Sequence, residues 1–420
     1  MRQNRYYTKQ TFQMKQTLIL ILCIGFSQIL SSQDSLIIET IRTHMQTFEC
    51  ADGQISGAGA TKLEDAVADH QLIMIGEMHG IREVGDFSEA LFNIGKKYGF
   101  RYFAIESDPW VAEKLESLAT HPIDSLQAFE KAMPFSIPFY SNRSDFPFLQ
   151  SIVQQEGNSD KKIWGLDQTF VVATRFLFQE IKRKAKSDEG KQLAQSHYEK
   201  AVVAFQEAMG SGNPSGVYLL KLSEDEFKEL ETTFRKEENF EALEIVNGIK
   251  KSRQIYQHWY DGENYLNNRV RSQWMKNTFM RYYNEAMFRD GALPKVMFKF
   301  GSNHAMRGLT PVHVYDLGNM VSELAESKGT ESLHIKCTAL KGKAYNMLMG
   351  PQDFDSTEDY DARIIKAIGE KANGSEWIVI DLRPLRNIRL KNEDESFKST
   401  VFGFDFWVIA PTGTPLEPFQ

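Results

Sequence analysis

Hydrophobic positions in this chain alternate between two kinds of pattern. Short, mainly apolar runs, the mark of strands buried on both faces, occupy 72–76, 102–105, 162–166 and 295–300, the last two carrying Lys162, Lys295 and Lys299. Helical spacing lies between them. Residues 35–48 place Leu36, Ile37, Ile38, Ile41, Met45 and Phe48 at helical intervals. A short helix is expected at 63–69. Residues 84–98 put Phe87, Leu91 and Ile94 on one face, with Gly99 as a stop. Pro109 opens a further helix at its first position. Strand, helix, strand, helix within so short a span predicts a parallel α/β sheet.

From 170 to 290 the texture changes to long helical patterns rich in Glu, Lys, Phe and Leu, with a capping box at Ser223 and Glu226 and one loose loop at 210–216. Strand patterns then resume at 295–300, 332–339, 377–382 and 401–409, with a helix at 361–371. The expected class is α/β: a mainly parallel central sheet flanked by helices, with a large all-helical insertion. The halves of the core are 34–169 and 291–420, and 170–290 forms a helical lid.

The amino terminus reads differently. Arg2, Arg5, Lys9 and Lys15 precede an apolar stretch from Thr17 to Leu30, and Ser31-Ser32-Gln33 offers small residues for cleavage. Residues 1–33 match a secretory signal peptide, with Met14 an alternative start to Met1. The stretch is short for a membrane span. The mature chain is therefore expected to be exported, periplasmic or extracellular, with no stable membrane span. In that compartment Cys50 and Cys337 could pair or stay as two buried thiols. A net charge of −7 argues against a nucleic-acid partner.

Candidate chemistry clusters where the apolar runs stop. The first run ends at Gly76-Glu77-Met78-His79-Gly80, the second at Glu106, the third at Asp167, and the one after the insertion at Gly301-Ser302-Asn303-His304. Open α/β sheets bind ligands outside the carboxyl ends of their strands. Two imidazoles and several carboxylates at such an edge can do general acid–base work. There is no G-x-S-x-G elbow, Walker A loop, H-E-x-x-H or paired C-x-x-C, so nucleophilic Ser or Cys chemistry has no local signature. Less chemical readings stand beside these. His304 and Asp167 could cap helices, and Arg82 could be a solvated surface residue. Arg307 could lie at the surface or pair with a cleft carboxylate. The aromatic group His258, Trp259, Tyr260 and Tyr265 reads first as helix packing, with a substrate wall as the alternative.

Taken in order, Gly76-Glu77-Met78-His79-Gly80, Ala104-Ile105-Glu106, the helix segment carrying Arg271, Met275 and Asn277, and Gly301-Ser302-Asn303-His304-Ala305-Met306-Arg307-Gly308 resemble the erythromycin esterase-like family. They also resemble a wider superfamily with ChaN-type haem-uptake proteins and Tiki-type proteases. The resemblance spans roughly 63–410 and implies a hydrolase. In it His79 activates water, Glu106 orients or shares protons with His79, and Glu77 and His304 position water and stabilise an oxyanion. Arg82, Arg271, Arg307 and Asp167 are candidate substrate contacts. Only Met78 separates Glu77 from His79, and Ser302 stands where the macrolide esterases carry a first histidine, which leaves the substrate open. No cofactor is required on this reading. A divalent metal on Glu77, His79, Glu106 and His304, or binding of haem or iron, remain alternatives.

Overall fold

The computed structural model describes residues 33–155, 161–347, 349–369, 371, 374–390 and 394–419. The signal-peptide expectation at 1–33 lies almost wholly outside them. Strands are numbered in chain order: β1 Met45–Ala51, β2 Gln54–Ser56, β3 Leu72–Glu77, β4 Tyr102–Ile105, β5 Ile163–Gly165, β6 Val296–Gly301, β7 Ser332–Ala339, β8 Lys341–Asn346, β9 Gly350–Asp355, β10 Trp377–Asp381 and β11 Phe406–Ala410. Nine of them make one sheet in the order β2-β1-β10-β11-β7-β3-β6-β4-β5. From β11 to β5 every neighbour is parallel, while β10, β1 and β2 add an antiparallel flank. β8 and β9 form a separate hairpin.

The mainly apolar runs have a simple cause, because both faces of the sheet are covered. Ile73, Ile75, Phe103, Ile105 and Met297 point to one core layer, with Phe87, Leu91 and Ile94 of helix Arg82–Lys97. Leu72, Met74, Tyr102, Ala104, Val296 and Phe298 point to the other, under Met275, Phe279 and Tyr283 of helix Asn264–Asp290. Alternate residues of one strand are thus buried on opposite sides. A fully buried side chain such as Phe87 contributes about 2–3 kcal/mol to this packing.

Between β5 and β6 the described residues form helices and connecting turns only. The longest are Asp188–Ser211, Phe240–Tyr260 and Asn264–Asp290. The capping box at Ser223 and Glu226 is present. Gly262, in the left-handed region at φ 76°, turns the chain between the last two helices.

Two expected elements differ. The apolar spacing at 35–48 predicts one helix, but the helix covers 33–43 and the chain then enters β1. The His44 carbonyl accepts from Asp381 N–H, and pairing of β1 with β10 overrides the local periodicity. At 401–409 a strand is expected. Instead, helix Glu395–Gly403, capped by Asp394, is followed by β11. Cys50 and Cys337 are free thiols. Among the described residues no helix is long and apolar enough to cross a membrane.

Candidate active site

The order of the sheet decides where the chemistry gathers. β3, β6 and β4 are consecutive parallel neighbours, so their carboxyl ends lie together. Register sets Glu77 beside Gly301 and Ile105 beside Lys299. Glu77 closes β3 and is buried. Its Oε1 bonds His79 Nδ1 at 2.8 Å and its Oε2 meets Lys299 Nζ at 2.7 Å. An ionised carboxylate can only accept, so the Nδ1 of His79 carries the proton and Nε2 points towards Glu106 and Gly301. Gly80 makes this tight turn possible, with φ 86° and a hypothetical Cβ only 2.3 Å from the Tyr345 carbonyl oxygen.

Glu106 follows β4 and is the centre of the group. Its Oε2 accepts the Gly301 N–H at 2.6 Å and its Oε1 accepts Arg271 Nη2 at 2.7 Å. Arg271 also grips Asp167 through Nε at 2.9 Å and Nη2 at 2.5 Å. His304, in the short helix after β6, bonds Asp316 through Nδ1 at 2.7 Å. Its Nε2 then lies 3.7 Å from Glu106 Oε1, while His79 Nε2 lies 3.9 Å from Glu106 Oε2. Two imidazoles, each held from behind by a carboxylate, thus face one buried acid. The His79 side chain is 41 % exposed and that of His304 10 %, so His79 is the more accessible of the two.

Electrostatics follow from the charge count. Glu77, Glu106, Asp167 and Asp316 outnumber Lys299 and Arg271 by two, and two imidazolium ions would restore neutrality. Burial opposes charge on every group, and the partners outweigh it. Lys299 and His79 hold the Glu77 carboxyl down at about 2. Glu106 is lowered by His304, His79 and Arg271, and Asp316 by His304. His79 is raised by Glu77 and Glu106, and His304 by Asp316 and Glu106.

Two cavities open onto the group. One, of about 650 Å³, has Glu106, Asp167 and Arg271 in its lining; the other, of about 760 Å³, reaches His79. Phe139 borders both. Its ring stacks on His79 at 4.6 Å and 12°, and its backbone sits in the left-handed region at φ 62°.

Glu77, His79, Glu106, Asp167, Arg271 and His304 therefore come together, as the strand-end pattern implies. Arg82 and Arg307 do not join them. Arg82 is half-buried beside Asp86, one turn along its own helix. Arg307 is drawn under the sheet edge by Asp405, at 2.7 and 2.9 Å, and by the Ser332 carbonyl. Arg307 is thus placed in an ion pair with Asp405, away from the group. Sequence reasoning missed Lys299, Asp316 and Phe139. A single cation inside the apolar run 296–300 was a usable signal for Lys299. Asp316 reads as a helix cap, and it does accept Leu317 N–H as well as holding His304. Nothing in the sequence marked Phe139.

No protein-family model matches the chain, and no curated protein matches it. Solved structures do. A succinoglycan biosynthesis protein superposes with a TM-score of 0.58 at 14 % identity, covering 93 % of this chain and 99 % of its own. A Bacillus cereus protein gives 0.57 at 14 %, over 92 % and 99 %. A mutant of the erythromycin esterase EreC in its open conformation gives 0.57 at 13 %, over 89 % and 100 %. The chain shares its fold with an erythromycin esterase along almost its whole length. At these identities the likeness is one of fold.

Proposed function

We propose that the chain is an exported hydrolase that cleaves an ester or related acyl bond with water activated by His79. The observation that carries this reading is the pair of carboxylate-held imidazoles facing each other across Glu106. His79 Nε2, unprotonated, takes a proton from water as the water attacks the acyl carbonyl. Glu77, fixed by Lys299, holds the imidazole and stabilises its cation as it forms. His304, kept protonated by Asp316 and Glu106, donates to the developing oxyanion. The imidazolium of His79 then returns its proton to the leaving alkoxide, and acid and alcohol depart. Glu106, locked by Gly301 N–H and Arg271, favours positive charge on both rings. The helices of 170–290 roof the cleft in this proposal, and the basic–apolar start of the chain directs export.

The reaction is proposed to need no cofactor. Donor atoms of Glu77, His79 and Glu106 lie within 4.8 Å of one another, a spacing a divalent ion could bridge. Yet Lys299 and Arg271 already neutralise these carboxylates, and an ion would add two positive charges beside them. Hydrolysis of p-nitrophenyl acetate tests both points. His79→Ala is expected to lose on the order of 10²–10⁴-fold in kcat while staying folded, and a wild-type rate in that variant overturns the reading. Activity that a chelator abolishes and zinc or manganese restores replaces it with a metal mechanism.

A further inference from the structure

The Arg271 cavity has walls of unusual chemistry. Its charged side chains among the described residues, Glu106, Asp167 and Arg271, are engaged with one another at the floor. The rest of the lining is mostly aromatic rings and carboxamides, with Pro138, Pro311 and Val312 and one imidazole, His313. Trp259 and Tyr265 stand on either side of the Gly262 turn at the tip of the long helical hairpin and are 54 % and 51 % exposed. Both line the cavity, together with Asn267 and Asn268. Each asparagine anchors one amide hydrogen on a main-chain carbonyl, at 2.8 and 2.7 Å, which fixes its plane and leaves its remaining polar atoms for a ligand. Gln168 is deeper and nine-tenths buried. Its Oε1 has no hydrogen-bond partner among the described residues, although a buried acceptor ordinarily has one.

Flat, exposed aromatic faces beside groups that both donate and accept, with no free charge, match a ligand having apolar C–H faces and many hydroxyls. A charged substrate finds no free counter-charge on the walls. An extended peptide is ordinarily read by a strand edge, and no strand residue lines this cavity.

From this juxtaposition we infer that the cavity binds a neutral carbohydrate and that the hydrolysed substrate is an O-acyl ester of it. This rests on the hydrolase reading above and adds its substrate class. The pyranose ring stacks on Trp259 and Tyr265, and a hydroxyl donates to Gln168 Oε1. The acyl group lies across Phe139 in the His79 cavity, whose walls include Phe135, Ile137, Leu416 and Phe419. The acyl C–O bond breaks, water supplies the hydroxyl of the carboxylic acid, and its other proton passes through His79 Nε2 to the sugar oxygen.

Two measurements test this, one independent of catalysis. In the first, kcat/KM of the wild type for methyl 3-O-acetylxylopyranoside, which keeps free hydroxyls, is compared with that for ethyl acetate. The sugar ester is expected to be preferred at least tenfold, and Trp259→Ala with Tyr265→Ala together to erase about tenfold of that preference, mainly through KM. Both side chains are half exposed, so the variant folds. The second is calorimetry of xylohexaose with folded His79→Ala, where binding is expected and the double aromatic substitution removes it. Hydrolysis of both esters without preference, or binding of xylohexaose that ignores the aromatic substitutions, overturns the carbohydrate assignment and leaves the hydrolase reading standing. Xylohexaose binding by a wild type that hydrolyses neither ester sinks the hydrolase reading instead, and with it the ester half of this proposal.

Discussion

Lys299→Met is the most demanding test of the electrostatic scheme. Lys299 is 4 % exposed, lies 2.7 Å from Glu77, and passes over the Tyr140 ring at 4.7 Å. Methionine fills similar space without charge. Removing one member of a buried ion pair strands the other and typically costs about 3–5 kcal/mol. The structure provides an independent figure. Holding the Glu77 carboxyl at about 2 instead of 4.5 corresponds to about 3 kcal/mol at neutral pH, the net of burial against Lys299 and His79 together. The sign follows from linkage. A depressed carboxyl stabilises the fold above its unfolded value, and that contribution is lost as pH falls from about 5 towards 2. In the variant only His79 opposes burial, so Glu77 rises and less stability is lost as pH drops through the same range. Urea unfolding at pH 7 and pH 4 reads the difference. The variant should be less stable by about 3–5 kcal/mol at pH 7, and the gap should shrink by roughly half or more at pH 4. A gap independent of pH would show that Lys299 contributes packing only and that Glu77 is not held ionised by it.

The remaining predictions concern the two imidazoles and the excluded arginine. Because His79 is raised and must lose its proton to act as base, kcat/KM should climb with pH through a value above about 6.5; a rate already at plateau by pH 6 refutes that role. The same raised value stabilises the fold at low pH and is lost as pH rises through it, so the climb in rate should accompany a small loss of stability in urea titrations. Asp316→Asn, which keeps shape but removes the charge raising His304, should lower kcat by about tenfold with little change in KM; unchanged kcat in a folded variant removes His304 from the oxyanion role. Arg307→Ala should cost about 2–3 kcal/mol, since Arg386 still pairs with Asp405, and leave kcat/KM of the folded fraction intact. A fall in kcat/KM at unchanged Tm would return Arg307 to the cleft.

How much of this could be read beforehand depended on what each residue answers to. β3 and β4 were legible because both their faces are buried and their runs are wholly apolar, and β6 and β7 because apolar residues still recur around Lys299, His334 and Lys336. β1, on the antiparallel flank, and the β8–β9 hairpin were not, because half-buried strands carry mixed sequence and exist through their partners. The strand-end rule found Glu77, His79, Glu106 and His304, since each lies within three residues of a legible strand. Asp167 and Arg271 were found too, the latter from its family pattern alone. Arg307 lies six residues past β6 and turns away, because Asp405, 98 residues further on, attracts it. Asp316 and Phe139 are set by contacts between distant segments that no local pattern records.

The bare main chain at Gly301 constrains how this protein can diversify. A Cβ there would lie 2.9 Å from His79 Nε2 and 3.4 Å from Glu106 Oε2. Any side chain would plug the reacting centre from below, so the floor is frozen. New specificities must arise from the hairpin tip around Gly262 and from the segment carrying Phe139, neither of which supplies a sheet hydrogen bond. Descendants of this scaffold are expected to keep the strand ends nearly fixed while those two segments drift quickly, so chemistry and clientele evolve on separate parts of the chain.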